Sequence, residues 1–268
     1  MKTIDIYYTR CFIRRHLTRN VPEKWSELSP RQFLTVASLY RQRTVDKRFF
    51  KRFLSLPGRA LDLPDYLLYK LSELCEFVND IRKPFYRFYL HRISNGLYAP
   101  GARLKGMSFE QFMHADTWFA KYLQTGEDEH LNLLVASLYM RKHETFVLPP
   151  QRNFHFFRKR KRLLNIEERV KDIARLDADT RYAVFLNFVM IRTWLSKAFP
   201  FLFPVSDEDK KMKGNGKSTA WLDIFDAFVG DDIPDIDSYR ALPAATAFRI
   251  LNKRIRNAQT LSLIHISE

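Results

Sequence analysis

The sequence is poor in the two residue types that build tight loops and covalent crosslinks. It has 8 glycines and 2 cysteines in 268 residues, whereas glycine averages about 7% in globular proteins. Glycine supplies the positive φ of tight hairpins and phosphate-binding loops, so its scarcity disfavours folds that depend on them. Cys11 and Cys75 are too few for a disulfide framework or a cysteine metal cluster. We expect each of them to be a small buried apolar residue.

Long apolar runs without charge are also missing. The most apolar stretch, 182–203, is interrupted by Asn187, Arg192 and Lys197. Its uncharged part, 182–191, is about half the length that a helix needs to cross a bilayer. The first residues lack the apolar core of a signal peptide. The sequence therefore predicts no membrane partner and a cytoplasmic location.

Bulky apolar residues and positive charge dominate the composition. Apolar residues make up 46% of the chain and include 23 phenylalanines, which excludes a disordered protein. The 45 Lys and Arg residues exceed the 30 Asp and Glu residues, so the formal net charge is +15. Few glycines and many large apolar side chains favour helices, and the length suits one large domain or two small ones.

Hydrophobic periodicity predicts the fold class. Residues 4–8 alternate between apolar and polar and predict a short strand, whereas the segments after Pro22 have helical spacing. The stretch 180–199 is apolar on nearly every side, which is typical of a central buried helix. We predict a mainly α, helical bundle-like fold of about eight to ten helices, with at most a small N-terminal strand pair.

Two of the predicted helix starts share one sequence phrase. Ser29 and Gln32 form a capping box with Pro30 in the first helical position. Ser108 and Gln111 repeat the box. An internal duplication would explain the repeat, but capping boxes are common, so we interpret it as two similar helix starts.

A change of composition near the middle of the chain predicts a boundary. Pro149 and Pro150 precede a group of aromatic residues and then a run of cations. We predict an N-terminal helical half at 1–148, a basic aromatic linker at 149–163 and a C-terminal helical half at 164–260. The two halves can still share one core.

The last eight residues, 261–268, read LSLIHISE. This octapeptide matches the in-frame translation of a sequencing-library adapter. We therefore expect the segment to be an artefact of an assembled metagenome sequence in which the native C-terminus is missing. The other interpretation is a genuine short amphipathic tail. If the segment is an artefact, its deletion leaves the melting temperature unchanged.

Each motif of an enzyme or cofactor site is incomplete. Residues 214–219 end like a phosphate-binding loop, but Lys211 stands where that loop needs its first glycine. The aspartates of 231–237 lack the central glycine and distal glutamate of a calcium loop, and the histidines have no paired ligand spacing. Glu110 and Asp116 are six positions apart and do not form a catalytic pair. We expect a non-enzymatic protein without catalytic residues, metal or other cofactor.

The sharpest local feature is a run of aromatic residues followed by cations. It comprises Phe156, Phe157, Arg158, Lys159, Arg160, Lys161 and Arg162. Aromatic rings stack on bases and cations neutralise phosphates, so this combination favours single-stranded nucleic acid. Two other interpretations stay open: a solvated linker whose phenylalanines pack inward, and a contact with a protein partner or with the acidic segment 223–237.

Several structural phrases resemble proteins from the tail-gene region of phages. They lie at 24–29 (KWSELS), 107–112 (MSFEQF), 115–119 (ADTWF) and 134–139 (LVASLY), together with the helices that begin at Trp221. Together they resemble helical, tail assembly chaperone-like proteins of tailed phages and prophages of Bacteroides-type bacteria. The net charge of +15 departs from the acidic character usual for such chaperones.

The resemblance implies a non-enzymatic tail-assembly or structural protein that acts through protein–protein contacts. Its partners would be phage tail or other assembly proteins, in the cytoplasm of the bacterial host or in the virion. The resemblance supplies no catalytic residues. The alternative function is a nucleic-acid-binding accessory protein that uses the basic aromatic segment.

Overall fold

The computed structural model describes residues 1–10, 13–43, 48–56, 63–93, 96–142, 166, 168–204, 221–230 and 236–266. The mainly α fold with a small N-terminal strand pair is confirmed. The helices of the described residues are α1 (Pro30–Gln42), α2 (Phe49–Phe53), α3 (Asp65–Leu74), α4 (Phe109–Thr125), α5 (Asp128–Leu138), α6 (168–174), α7 (Ala178–Ala198), α8 (Trp221–Val229), α9 (Ile236–Ala241) and α10 (Ala244–Ile266). None of them combines the length and the apolar composition required to cross a bilayer.

Two small antiparallel sheets accompany the helices. Strands β1 (Lys2–Arg10) and β2 (Ile13–Val21) form the predicted N-terminal pair, with Ile4 and Ile6 buried as their alternation requires. The second sheet has the strand order β3 (Arg92–Ile93), β4 (Leu97–Tyr98), β5 (Met140–Arg141). The sequence did not predict this sheet, because strands of two residues have no detectable period.

The two helix starts with the same phrase differ in the structure. At α1 the capping box is complete, since Gln32 N donates to Ser29 Oγ (3.3 Å) and Ser29 N donates to Gln32 Oε1 (2.9 Å). At α4 only half of the box forms: Gln111 N donates to Ser108 Oγ (3.1 Å), but the Gln111 side chain donates to Ser137 O (2.8 Å). The expected second box is therefore wrong. Gln111 is buried, and its amide satisfies a carbonyl near the end of α5 that would otherwise lack a partner.

One apolar cluster joins residues on both sides of 149–163. Helix α7 lies at its centre, packs against α1 and α5, and buries ten of its residues, as its nearly uniform apolar sequence predicts. A group of packed aromatic rings connects α4, α7, α8 and α10. The predicted linker itself, 149–163, lies outside the described residues.

The cysteine prediction and the terminal segment have different outcomes. Cys75 is buried, and this burial raises the pKa of its thiol to about 12, so it is an unreactive apolar residue as expected. Cys11 lies outside the described residues. Helix α10 extends to Ile266 and so enters the suspected artefact 261–268, whose side chains lie outside the described part of the chain.

Candidate functional site

The predicted site residues, Phe156–Arg162, lie outside the described residues, but the chain on either side of them is described. Before them, Met140 and Arg141 form β5, which pairs with β4. The described chain after them forms α6. Arg141 contacts this helix, with its Nη2 3.1 Å from Asp172 Oδ2 and its Nη1 3.7 Å from Glu168 Oε2. The described chain before the basic aromatic segment, β5, thus contacts the described chain after it, α6.

The chain that includes β3 and β4 is strongly cationic. Between Asp80 and Glu110 there is no Asp or Glu, but there are six cations, all exposed: Arg82, Lys83, Arg87, Arg92, Arg103 and Lys105. The sequence could have shown this charge pattern, because it is a matter of composition alone. The six cations are spread over the stretch and are mostly not consecutive, so they form no local motif.

This stretch folds back on itself as two antiparallel arms, 86–92 and 98–103. Three contacts align them: Arg92 is paired with Tyr98 in the sheet, Ala99 N donates to His91 O (3.0 Å), and Arg103 N donates to Tyr86 O (2.7 Å). The arms therefore lie side by side at both of their ends.

An arginine lies over a tyrosine ring at each end of the two arms. Arg103 Cζ is 5.6 Å from the ring centroid of Tyr86, and Arg92 Cζ is 5.7 Å from that of Tyr98. The two tyrosines are 45% and 39% exposed. Among the described residues, neither arginine has a carboxylate partner. We call these four residues the arginine–tyrosine face.

The first arm is fixed to the core by hydrogen bonds between its backbone groups and helix α7. The buried Asn187 of α7 accepts from Tyr89 N (2.8 Å) and donates to Arg87 O (3.1 Å) through its side chain. Phe85 N donates to Met190 O (3.2 Å). Asn187 looked in the sequence like an interruption of an apolar helix, and its real function is to hold this arm. Such a pairing between residues nearly a hundred positions apart has no sequence signal.

The second arm contains a backbone conformation that is costly for its residues. Arg103 and Leu104 have φ of 58° and 61°, in the left-handed region. This conformation costs about 1–2 kcal/mol for a residue other than glycine. Burial of Leu104 and the bond from Arg103 N to Tyr86 O hold it. Backbone strain of this kind is often found at functional sites, where the surrounding structure maintains it.

The carboxylates on α4 have a structural function. Asp116 Oδ2 accepts a hydrogen bond from Trp221 Nε1 (2.8 Å), and its Oδ1 is 3.2 Å from Arg192 Nη1. Asp116 thereby fastens α8 and α7 to α4. The described residues include no group of three or more His, Cys, Asp or Glu arranged to hold a metal ion. Residues 214–219 and 231–235, with their incomplete motifs, lie outside the described residues.

Comparisons of the chain with models of known families, with curated proteins and with solved structures give no match. They neither support nor oppose the resemblance to phage tail-region proteins. The function must therefore be judged on the site itself. That site consists of two paired arms from a stretch of chain without Asp or Glu, with an exposed tyrosine at each end.

Proposed function

We propose that this chain is a non-enzymatic nucleic-acid-binding protein, and that the arginine–tyrosine face holds a single strand. The observation that carries the proposal is the pair of exposed Arg–Tyr contacts at the two ends of paired arms from a stretch of chain without Asp or Glu. Exposed rings stack on bases, and arginines without carboxylate partners neutralise phosphates. A single strand fits better than a duplex, because only unpaired bases can turn their faces towards the tyrosines.

The basic aromatic segment belongs to the same proposal. Of its described neighbours, β5 pairs with β4, which carries Tyr98, and α6 contacts β5 through Asp172. Its five consecutive cations, Arg158 to Arg162, would extend the electrostatic contact with the phosphates of the same strand. The segment then adds affinity, while the tyrosines fix the position of the bases.

The test replaces both tyrosines and measures the binding of an oligothymidylate by fluorescence anisotropy. Tyr86→Ser with Tyr98→Ser should weaken binding at least tenfold, since one base–aromatic stack contributes about 1–3 kcal/mol. The matched control is Tyr66→Ser with Tyr69→Ser, because these tyrosines of α3 are 70% and 68% exposed and lie outside the face. Unchanged affinity after loss of Tyr86 and Tyr98 would refute the proposal.

The second candidate function is that of a phage tail-assembly or structural protein that acts through protein contacts. The exposed Tyr66 and Tyr69 favour it, because they are three positions apart and share one side of α3. Exposed tyrosines are enriched where proteins bind one another. The resemblance to tail-region proteins points to the same class of partner.

Co-purification with a tape-measure or tail-tube protein tests this second function. The α3 variant, Tyr66→Ser with Tyr69→Ser, should lose the partner, while the variant at Tyr86 and Tyr98 should keep it. Retention of the partner by the α3 variant would remove the structural support for this function. The neighbouring genes on the source contig supply an independent check.

A further inference from the structure

A cavity of about 300 Å³ opens where the ends of four helices meet. It lies between the C-terminal end of α1, the later part of α4, and the first turns of α5 and α7. Its lining is Tyr40, Arg41, Arg43, Tyr122, Asp128, Leu131, Ala178, Arg181 and Tyr182. The lining thus includes three arginines, three tyrosines and one acidic residue, Asp128.

The arginines are only partly neutralised. Arg181 Nη2 is 3.1 Å from Asp128 Oδ2, and Arg41 Nε is 2.6 Å from Asp179 Oδ1. Arg43 has no carboxylate partner among the described residues. Arg43 is therefore the one lining arginine without a carboxylate partner in the described part of the chain.

One donor in the cavity wall also lacks an acceptor. Arg181 is 9% exposed, and its Nη1 donates to Asn132 Oδ1 (2.9 Å), but its buried Nε has no hydrogen-bond partner among the described residues. A buried donor without a partner is unfavourable, since it has lost water and gained nothing. The guanidinium of Arg181 is held in this wall by Asn132 and Asp128.

The position of Arg43 is also unusual. It caps the C-terminus of α1 with a φ of 54°, a conformation that glycine adopts far more easily. Burial raises the pKa of Tyr40 to about 12 and also raises the pKa of Tyr182. Tyr40, Tyr122 and Tyr182 are the aromatic residues of a mainly polar lining, and a flat ligand can contact their rings there.

We propose that this cavity binds a nucleoside 5′-phosphate, with the phosphate at Arg43 and Arg181 and the base against the tyrosines. The volume is at the lower end of the range for small-molecule sites, which suits one nucleotide. Arginine is well suited to phosphate because its planar donors match the phosphate oxygens. The ligand is either a free nucleotide or the 5′-phosphorylated end of a strand. The inference does not depend on the function of the arginine–tyrosine face.

The test is calorimetric titration of the full chain with AMP, adenosine and inorganic phosphate. AMP should bind more tightly than either part alone, because the site recognises both phosphate and base. Arg43→Gly should weaken AMP binding about tenfold or more, since it removes a charged partner of the phosphate. Glycine suits the left-handed backbone there, so this variant should keep its melting temperature. The matched control is Arg175→Gly. The Arg175 side chain is 81% exposed and does not line the cavity.

Two oligonucleotides, one with and one without a 5′-phosphate, separate the two sources of the ligand. Binding of AMP that depends on Arg43 supports a free nucleotide. A gain in affinity from the 5′-phosphate that depends on Arg43 supports a strand end. If neither ligand responds to Arg43→Gly, the cavity is not a nucleotide site and the inference is overturned. Binding of the oligonucleotide without a 5′-phosphate tests the arginine–tyrosine face separately.

Discussion

The arginine–tyrosine face and the cavity contain the same two residue types in different surroundings. On the face, Arg92 and Arg103 lie over tyrosine rings, and no carboxylate approaches them among the described residues. In the cavity, Arg41 and Arg181 contact carboxylates, and the tyrosines are partly buried. The face is therefore suited to an extended polyanion, whereas the cavity is suited to one small anion.

The comparison indicates that the groups around an arginine decide which kind of anion the arginine is suited to bind. An exposed arginine without a carboxylate contributes a charge whose effect salt screens strongly. A partly neutralised arginine in a confined space contributes direction and shape, because its donors are already oriented. The following three predictions test this contrast.

The largest effect is expected at the support of the face. Asn187→Leu removes the side chain that bonds Tyr89 N and Arg87 O, and it leaves these backbone groups without partners. We expect a loss of about 2–4 kcal/mol in the free energy of unfolding, since each unsatisfied buried group costs about 1–3 kcal/mol. Urea denaturation measures the loss. Asn252→Leu is the control, because Asn252 also bonds two backbone groups but is more exposed, so its replacement should cost less.

The second effect concerns the charge of the face. Arg92→Gln with Arg103→Asn removes two cations, and asparagine tolerates the left-handed backbone at position 103. A plot of log affinity for a single strand against log salt concentration should become flatter by about 1.4 units, at roughly 0.7 units per phosphate contact. Arg43→Gly, in the cavity, should leave this slope unchanged for a strand without a 5′-phosphate. An equal flattening in both variants would abolish the distinction between the two regions.

The smallest effect is expected at the start of α7, beside the cavity. Partial burial acts to raise the pKa of Asp177, but hydrogen bonds from the hydroxyl and N–H of Thr180 outweigh it and lower the pKa below the usual 3.8. A depressed folded-state pKa stabilises the protein above the unfolded pKa, and this contribution disappears as the pH falls through the folded-state value. Asp177→Ala should therefore cost about 1 kcal/mol at neutral pH.

The acid limb of the stability curve checks this last prediction. Below the depressed pKa the wild type and the variant should have nearly equal free energies of unfolding. A difference that stays constant from neutral to strongly acidic pH would mean that the carboxylate charge does not contribute to capping.

Local patterns in the sequence were enough to predict the helical fold and the N-terminal strand pair, but not the second sheet or the sites. The α1 capping box depends on Ser29 and Gln32 alone, and the buried α7 follows from its own composition. The half-formed cap at α4 could not be predicted, because the Gln111 side chain bonds to a different helix. A capping motif shows where a helix starts, but not which partner its side chain selects.

The two candidate sites were hidden for a related reason. The cavity brings together residues of α1 and α7, and the bond between Arg41 and Asp179 that joins these helices spans 138 positions. The face depends on two arms whose alignment rests on single backbone hydrogen bonds. Only its charge was visible in the sequence, as a stretch between Asp80 and Glu110 without acidic residues. Composition could have identified this cationic segment, but its geometry required the tertiary fold.

Helix α7 sets the spacing between the two regions. It carries Arg181 and Tyr182 in the cavity wall, and Asn187 and Met190, which hold the first arm. The rise from Arg181 to Asn187 is about 9 Å at 1.5 Å per residue. Because α7 carries groups that contact both regions, a shift of this one helix would move the cavity wall and the first arm together.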